Sequence, residues 1–166
     1  MLPKTFDPEL TPGARNAVNT CLRIEPEEKV TLITDAVSEE IAAALASELT
    51  ARGCPWNSFR LEDYADRPLH GMPDEILADM ETSAVSIFAV VAQTGELKSR
   101  MQMTDVVNRR KMRHAHMVNI EKRIMMEGMR ADFLKVDALS VKVRDIAASS
   151  KKIRATTANG TEIVAD

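Results

Sequence analysis

Four polar residues stand where predicted β-strands end, and their side chains could bind a small ligand there. Asp35 closes a first strand, Asp63 follows a second, and Gln93 and Thr94 follow a third. Because the carboxyl ends of parallel strands meet at one edge of a sheet, where such sheets bind ligands, we expect these four side chains at that edge. Polar residues also end strands as turn and cap residues. The four are therefore candidates for binding, and no residue is assigned a catalytic role.

His114 and His116 are the one close histidine pair in the sequence. On a helix their side chains would point about 200° apart, whereas on a β-strand they lie on one face and could bind a metal ion together. No third ligand stands at an informative spacing. The sequence therefore predicts a packed or solvated pair and no metal site. Cys21 and Cys54 lack the spacing of a metal or redox motif, so we expect two reduced thiols.

The sequence contains one cluster of basic residues, and it argues against nucleic acid and membrane as partners. The cluster consists of Arg109, Arg110, Lys111 and Arg113. The net charge of the chain is −3, and the chain has only one Trp and one Tyr on which bases could stack. We therefore do not expect a nucleic-acid interface. The cluster fits a solvated helix end. No apolar run is long enough to cross a bilayer, and the first residues lack the apolar segment of a signal peptide. The expected location is the cytoplasm.

Three motifs of well-known sites are absent from the sequence. No G-x-G-x-x-G follows the first strand, where Asp35-Ala-Val-Ser38 stands instead, and no G-x-x-x-x-G-K-[ST] occurs. A dinucleotide or P-loop site is therefore not predicted. The G-x-S-x-G motif of a nucleophilic serine is absent as well.

The stretch Lys29 to Gly53 predicts a strand, a turn and a helix. The run from Val30 to Asp35 is β-branched and apolar on both faces, as in a buried strand of a parallel sheet. Ile41, Leu45 and Leu49 then recur at helical spacing. Ser38 is the predicted N-cap, and Gly53 lies just past the C-terminus of the helix.

Further strands and helices alternate along the chain. The periodicity predicts a helix from Thr11 to about Ile24, strands over Pro55–Glu62, Val85–Ala92 and His114–Val118, and helices over Asp74–Thr82, Lys98–Met112 and Ile120–Gly128. Such alternation is typical of right-handed βαβ units. We expect a single α/β domain over residues 1–166, with a three-layer, mainly parallel sheet of about five strands and helices on both faces.

The last 35 residues predict a helix followed by a hairpin. Asp132 or its predecessor begins a helix that carries Phe133, Val136, Leu139, Val143 and Ile146 on one face. Two alternating runs then flank Asn159-Gly160, a dipeptide that favours the positive φ angles of a hairpin turn. The sequence therefore predicts a C-terminal β-hairpin.

Several stretches together resemble the N-terminal domain of the aminopeptidase T family, which are metal-dependent, leucyl aminopeptidase-like proteins. They are ARNAVNTCLRIEPEEKVTLITD, VSIFAVVAQTGEL and MRADFLKVDALSVKVRDIAASSKKIRATTANGTEIVAD. Asp132-Phe133, the following helix, and Ile153 to Thr157 with Gly160-Thr161-Glu162 match the family best. Glu162 stands where the family more often has Asp. The similarity covers nearly all of this chain and about the first half of a family member.

The resemblance implies a non-catalytic N-terminal α/β domain that walls the substrate cavity or supports oligomerisation. The implied partners are a C-terminal catalytic domain and further copies of the chain. The family's divalent metal ions (Zn, Co or Fe) are held by the second domain, so no position here matches a ligand and this chain carries no cofactor of its own. Related sequences include iron-dependent dihydroxypyridine ring-cleaving dioxygenases, whose N-terminal domain is an alternative. A second alternative is a stand-alone module that binds a small molecule or a protein.

Overall fold

The computed structural model describes residues 2–166, which form two compact units. The first, here called the sheet unit, ends at Ala131, and the second, the C-terminal unit, comprises Asp132–Asp166. The sheet unit contains four parallel strands: β1 (Val30–Thr34), β2 (Trp56–Arg60), β3 (Val85–Val90) and β4 (Arg113–Val118). They lie side by side in the order β2-β1-β3-β4. The parallel sheet therefore has one strand fewer than the expected five.

Helices connect these strands, as the alternation of the sequence predicts. They are α1 (Thr11–Arg15), α2 (Glu39–Arg52), α3 (Asp74–Thr82), α4 (Leu97–Arg110) and α5 (Lys122–Met126). The predicted helix from Thr11 to Ile24 is shorter, because α1 continues as a π-helical segment only to Cys21. Short 3₁₀ turns occupy Pro8–Leu10, Leu61–Asp63 and Gly128–Arg130.

Two hydrophobic cores cover the two faces of the sheet. On one face, Leu32 and Ile87 pack with residues of α1, α2 and α5. On the other face, Ile33 and Phe88 pack with residues of α3 and α4. Every residue of β1 and β3 is buried, as expected for central strands covered on both sides. The predicted α/β fold with helices on both faces is confirmed.

The helix α2 begins and ends where the sequence predicts, between Ser38 and Gly53. Gly53 ends the helix with φ of 79°, a left-handed conformation that glycine adopts without a Cβ penalty. Ser38 occupies the predicted N-cap position, but its side chain makes no capping bond. Instead, the Ser38 N–H donates to Asp35 Oδ1 at 2.8 Å. The side-chain hydrogen-bond acceptor at the N-terminus of α2 is therefore Asp35.

The long stretch between Gly95 and Gly128 divides into helix, strand and helix, as predicted. Lys111 ends α4 with φ of 52°, and β4 follows almost at once. β4 pairs with β3 from Arg113 to Val118. The prediction that a short strand interrupts this segment is therefore confirmed.

The C-terminal unit consists of α6 (Phe133–Ser149) and a hairpin of β5 (Ile153–Thr156) and β6 (Glu162–Ala165). Asp132 caps α6 through its side chain, which accepts from the Lys135 N–H at 3.1 Å. β5 and β6 are antiparallel, and Gly160 has φ of 86° in the turn between them. The predicted C-terminal hairpin is confirmed. No helix within residues 2–166 combines the length and apolar character needed to cross a membrane.

Candidate functional site

The carboxyl edge of the parallel sheet holds a buried network of charges that includes Asp35. Asp35 follows β1 directly and is fully buried. Its Oδ2 accepts from the Val91 N–H and from Arg67 Nη1, both at 2.7 Å. Because Val91 follows β3, this carboxylate joins the ends of two neighbouring strands. Asp35 therefore lies at the edge where the sequence places it.

Arg67 is the centre of the network and comes from the loop between β2 and α3. Its Nε donates to Glu96 Oε1 at 2.7 Å, and its Nη2 donates to Glu96 Oε2 and to the Val91 carbonyl. The Arg67 side chain is 4% exposed and that of Glu96 is 2% exposed. A third acid, Glu62, lies with its Oε1 3.5 Å from Arg67 Nη1. One guanidinium thus joins the loop to the ends of two strands and to the start of α4.

The charges of this network stabilise one another against the cost of burial. Burial alone would lower the pKa of Arg67, but the hydrogen bonds to Glu96 and Asp35 outweigh it and raise that pKa. Burial would also raise the pKa of Glu96, yet the bonds from Arg67 and from the Leu69 and Gln93 N–H groups lower it. Both groups therefore stay charged at neutral pH.

The other three candidate residues lie outside this network or join it only through the backbone. Asp63 is half-exposed and pairs with Arg60 three residues earlier. The Gln93 N–H donates to Glu96 Oε2 at 3.2 Å, whereas the Gln93 and Thr94 residues are exposed. The structure thus brings only the Asp35 side chain into the network. Whether any of the four binds a ligand stays a prediction.

Sequence reasoning missed Arg67 and Glu96. The segment Asp66-Arg67-Pro68 has the composition of a loop, and Glu96 precedes a helix as an ordinary acidic residue. Their partners lie 29 to 32 residues away along the chain. No spacing rule connects residues so distant, so the only available signal was a charged loop close to strand ends.

The histidine pair lies on β4 with both rings on one face, as the strand prediction requires. His114 Nε2 and His116 Nδ1 are 3.1 Å apart, and His114 Nδ1 lies 2.7 Å from Ser86 Oγ on β3. His116 stacks on Phe88, with ring centroids 5.6 Å apart. Within residues 2–166, no group of three or more His, Cys, Asp or Glu side chains is arranged to hold a metal ion.

We predict that His114 stays neutral until strongly acidic pH. Burial, with a smaller contribution from nearby His116, lowers the pKa of His114 from 6.5 to about 4. Since the folded pKa lies below the unfolded one, the unfolded chain takes up the proton first. Stability from this group is therefore complete above about pH 6.5 and is lost as the pH falls towards 4. NMR titration of the ring protons should give the low midpoint, and His114→Gln should remove this part of the pH dependence. A midpoint near 6.5 would contradict it.

An open groove lies between the middle of β2 and α3 and includes no residue of the Arg67 network. Its volume is about 470 Å³, and it is lined by Asn57, Ser58, Phe59, Glu75, Ala78, Asp79 and Thr82. Asp79 already accepts from Lys29 Nζ at 2.5 Å, from Thr31 Oγ1 at 2.7 Å and from Asn57 Nδ2 at 2.6 Å. The hydrogen bond from Lys29 is the largest of those that lower the pKa of Asp79 against its burial. This carboxylate therefore joins α3 to the sheet.

Comparison with known proteins shows a likeness of fold. No protein-family model matches the chain, and no curated protein sequence matches it. Among solved structures, 2,5-dihydroxypyridine dioxygenase from Pseudomonas putida KT2440 is similar, with a TM-score of 0.62 and 8% sequence identity. The match covers 94% of this chain and 46% of the dioxygenase chain. At this identity the likeness shows the fold alone, and the present chain spans less than half of that enzyme's length.

Proposed function

We propose that this chain is a non-catalytic α/β domain of an aminopeptidase-T-like metalloenzyme, in which it walls the substrate cavity or supports oligomerisation. The fold likeness supports the role of one domain in a larger enzyme, because nearly all of this chain matches less than half of the dioxygenase chain. The choice of the aminopeptidase family rests on the sequence resemblance. The stretches from Ala14 to Asp35 and from Met129 to Asp166 resemble the family in sequence. In this proposal the divalent metal belongs to a second, catalytic domain.

The charge network at the carboxyl edge supports a structural role for the chain. Asp35, Arg67 and Glu96 are buried and satisfy one another, so their charges are already used within the fold. A catalytic carboxylate needs access to substrate or metal at the moment of reaction. These three side chains instead fix the loop after β2 over the ends of β1 and β3. A rigid sheet edge of this kind is consistent with a domain that walls a substrate cavity.

The chain alone is expected to show no turnover of leucyl p-nitroanilide with Co²⁺ or Zn²⁺. A two-metal hydrolase needs several carboxylate and imidazole ligands converging on the ions, and residues 2–166 contain no such group. The measurement is release of p-nitroaniline by purified chain, with a leucyl aminopeptidase as the positive control and metal without protein as the blank. Activity that a chelator abolishes would contradict the proposal.

The fold match itself supports a second candidate, the N-terminal domain of an iron-dependent dihydroxypyridine ring-cleaving dioxygenase. The two candidates differ in the reaction of the complete enzyme. Oxygen uptake with ferrous iron and 2,5-dihydroxypyridine would favour the dioxygenase, and release of leucine from a peptide would favour the aminopeptidase.

The coding sequence offers a separate test of both candidates. Each predicts that the reading frame continues beyond Asp166 into a segment rich in Glu, His and Asp. A stop codon directly after Asp166 in the natural gene would contradict both and would favour a stand-alone binding module.

A further inference from the structure

His114 and His116 bring two ring nitrogens together on one face of β4. His114 Nε2 and His116 Nδ1 are 3.1 Å apart, and the ring centroids are 5.3 Å apart with an angle of 55° between the ring planes. His114 is half-buried, whereas His116 is exposed. The residues that hold the two rings, Ser86 and Phe88 of β3, belong to the sheet unit as the histidines do. The pair is therefore a preformed cluster of two imidazoles.

The distance between the two nitrogens is close to the distance that one metal ion imposes on two imidazole ligands. With metal–nitrogen bonds of about 2.0–2.1 Å, a tetrahedral ion holds two nitrogens about 3.3 Å apart. A square-planar ion with similar bonds holds them about 2.9 Å apart. The observed distance of 3.1 Å lies between these two values. Only a small turn of the exposed His116 ring is therefore needed to direct both lone pairs at one ion.

Ser86 supports the tautomer of His114 that a metal ion needs. Ser86 is fully buried, and its Oγ lies 2.7 Å from His114 Nδ1 and 4.0 Å from the sulfur of Met112. When the hydroxyl group donates to this sulfur, its oxygen accepts from the His114 Nδ1–H, and Nε2 keeps its lone pair. Histidines that bind metal ions commonly donate their second ring N–H in this way, which fixes the orientation of the ring.

The charge state of the two rings also favours a metal ion over a proton. Burial lowers the pKa of both histidines, and that of His114 falls to about 4. Both rings are therefore neutral at pH 7, as metal ligands must be. After burial, the positive charge of Arg100 is the second cause that lowers the pKa of His116. The same charge opposes a bound cation, so Arg100 sets an upper limit on the affinity.

We propose that His114 and His116 together bind one Zn²⁺ or Cu²⁺ ion through His114 Nε2 and His116 Nδ1, with water at the remaining positions. Imidazole suits these ions, whereas Mg²⁺ and Ca²⁺ prefer oxygen ligands. The proton of His116 then moves to its Nε2, so both rings stay neutral and no proton is released. Ser86 is a positioning residue, which acts on the ion through the His114 ring.

The number of protein ligands determines what kind of site this is. Structural zinc sites use four protein ligands, and no third His, Cys, Asp or Glu side chain within residues 2–166 is arranged to join the pair. The ion therefore binds reversibly and is not required for folding. This explains why the sequence, in which no third ligand has an informative spacing, predicts no metal site. The inference concerns the sheet unit and does not depend on the proposed enzyme class.

Titration of the full chain with Zn²⁺ tests the proposal. The measurements are calorimetry and NMR of the histidine rings, in a Cys21→Ser background because Cys21 is an exposed thiol that also binds metal. One ion per chain is expected, and the ring signals of His114 and His116 should shift together. Cu²⁺ should compete with Zn²⁺ for the site, and Mg²⁺ should not.

The third histidine of the chain supplies the matched control. His116→Gln changes an exposed side chain and should leave circular dichroism unchanged. It should raise the dissociation constant of Zn²⁺ about tenfold or more, since loss of outer-shell partners alone weakens metal sites by about 10–100-fold. His114→Gln should have the same effect. His70→Gln, at an exposed loop residue, should have none.

Two further variants test the roles of the neighbouring residues. Arg100→Gln should tighten Zn²⁺ binding, because it removes a positive charge near His116. Ser86→Ala should weaken binding about tenfold, and the ring ¹⁵N shifts of His114 should change to those of a mixture of tautomers. The proposal would be overturned by ring signals of His114 and His116 that do not respond to Zn²⁺. Binding that survives His116→Gln, or that His70→Gln weakens equally, would overturn it too.

Discussion

Replacing Arg67 with methionine should lower the free energy of unfolding by about 3–5 kcal/mol. Methionine keeps most of the apolar stem of arginine but leaves Asp35 and Glu96 buried without their shared cation. Taking one partner out of a buried ion pair leaves an uncompensated charge in a medium of low dielectric constant. The Val91 carbonyl loses its Arg67 bond as well. Urea denaturation of both proteins at neutral pH measures the loss.

Arg60 supplies the matched control for this substitution. It forms an ion pair with Asp63, but both side chains are more than a third exposed. Exposed pairs contribute about 1 kcal/mol or less, so Arg60→Met should change stability little. A loss below about 1 kcal/mol for Arg67→Met, or equal losses for the two variants, would contradict a buried charge network as the organiser of this edge.

The cause of the lost stability in Arg67→Met can be tested by neutralising the two acids that lose their cation, Asp35 and Glu96. In Arg67→Met, Asp35→Asn and Glu96→Gln should together recover part of the lost stability, because they remove the uncompensated charges. Without Arg67, burial should raise the pKa of the Glu96 carboxyl. The difference in stability between Arg67→Met and wild type should therefore shrink as the pH falls and Glu96 takes up a proton. A difference that is constant with pH would indicate lost packing instead.

The helices and strands of this fold could be predicted from local sequence patterns, and there is a physical reason why these predictions were correct. β1 and β3 are continuous apolar runs because both faces of the sheet are covered, and the histidines of β4 share a face because side chains on a strand alternate. Gly53 and Gly160 take the positive φ angles that their positions demand. Each of these signals lies within a few residues of the feature it predicts.

The site could be predicted only in part, because its contacts join distant segments. Asp35 lies at the carboxyl edge, as its place after a strand requires, but its partner Arg67 is 32 residues away. The absence of a side-chain capping bond from Ser38 has a related reason. Asp35 accepts the Ser38 N–H, so the predicted capping residue donates to the network residue before it. Long-range side-chain pairing leaves no periodic trace in a sequence, whereas helix and strand formation does.

Phe88→Ala is expected to cost about 3–5 kcal/mol, because it leaves a cavity in the core between the sheet and α4. Phe88 is 1% exposed and lies in the central strand β3, between Ile33 of β1 and His116 of β4. Its ring is the surface on which His116 stacks. Phe59, on the edge strand β2, is only partly buried. Phe59→Ala is therefore the matched control and should cost clearly less.

The same variant should change the titration of the histidine pair. Burial, and to a lesser degree nearby Arg100, lowers the pKa of His116 below its ordinary value. Removing the Phe88 ring takes away an apolar group that packs against the His116 imidazole, so the cost of charging that imidazole should fall and its pKa should rise towards the ordinary value. NMR titration of Phe88→Ala against Phe59→Ala measures this shift. If the two variants lose equal stability and leave the pKa of His116 unchanged, then Phe88 neither organises this core nor shields the histidine.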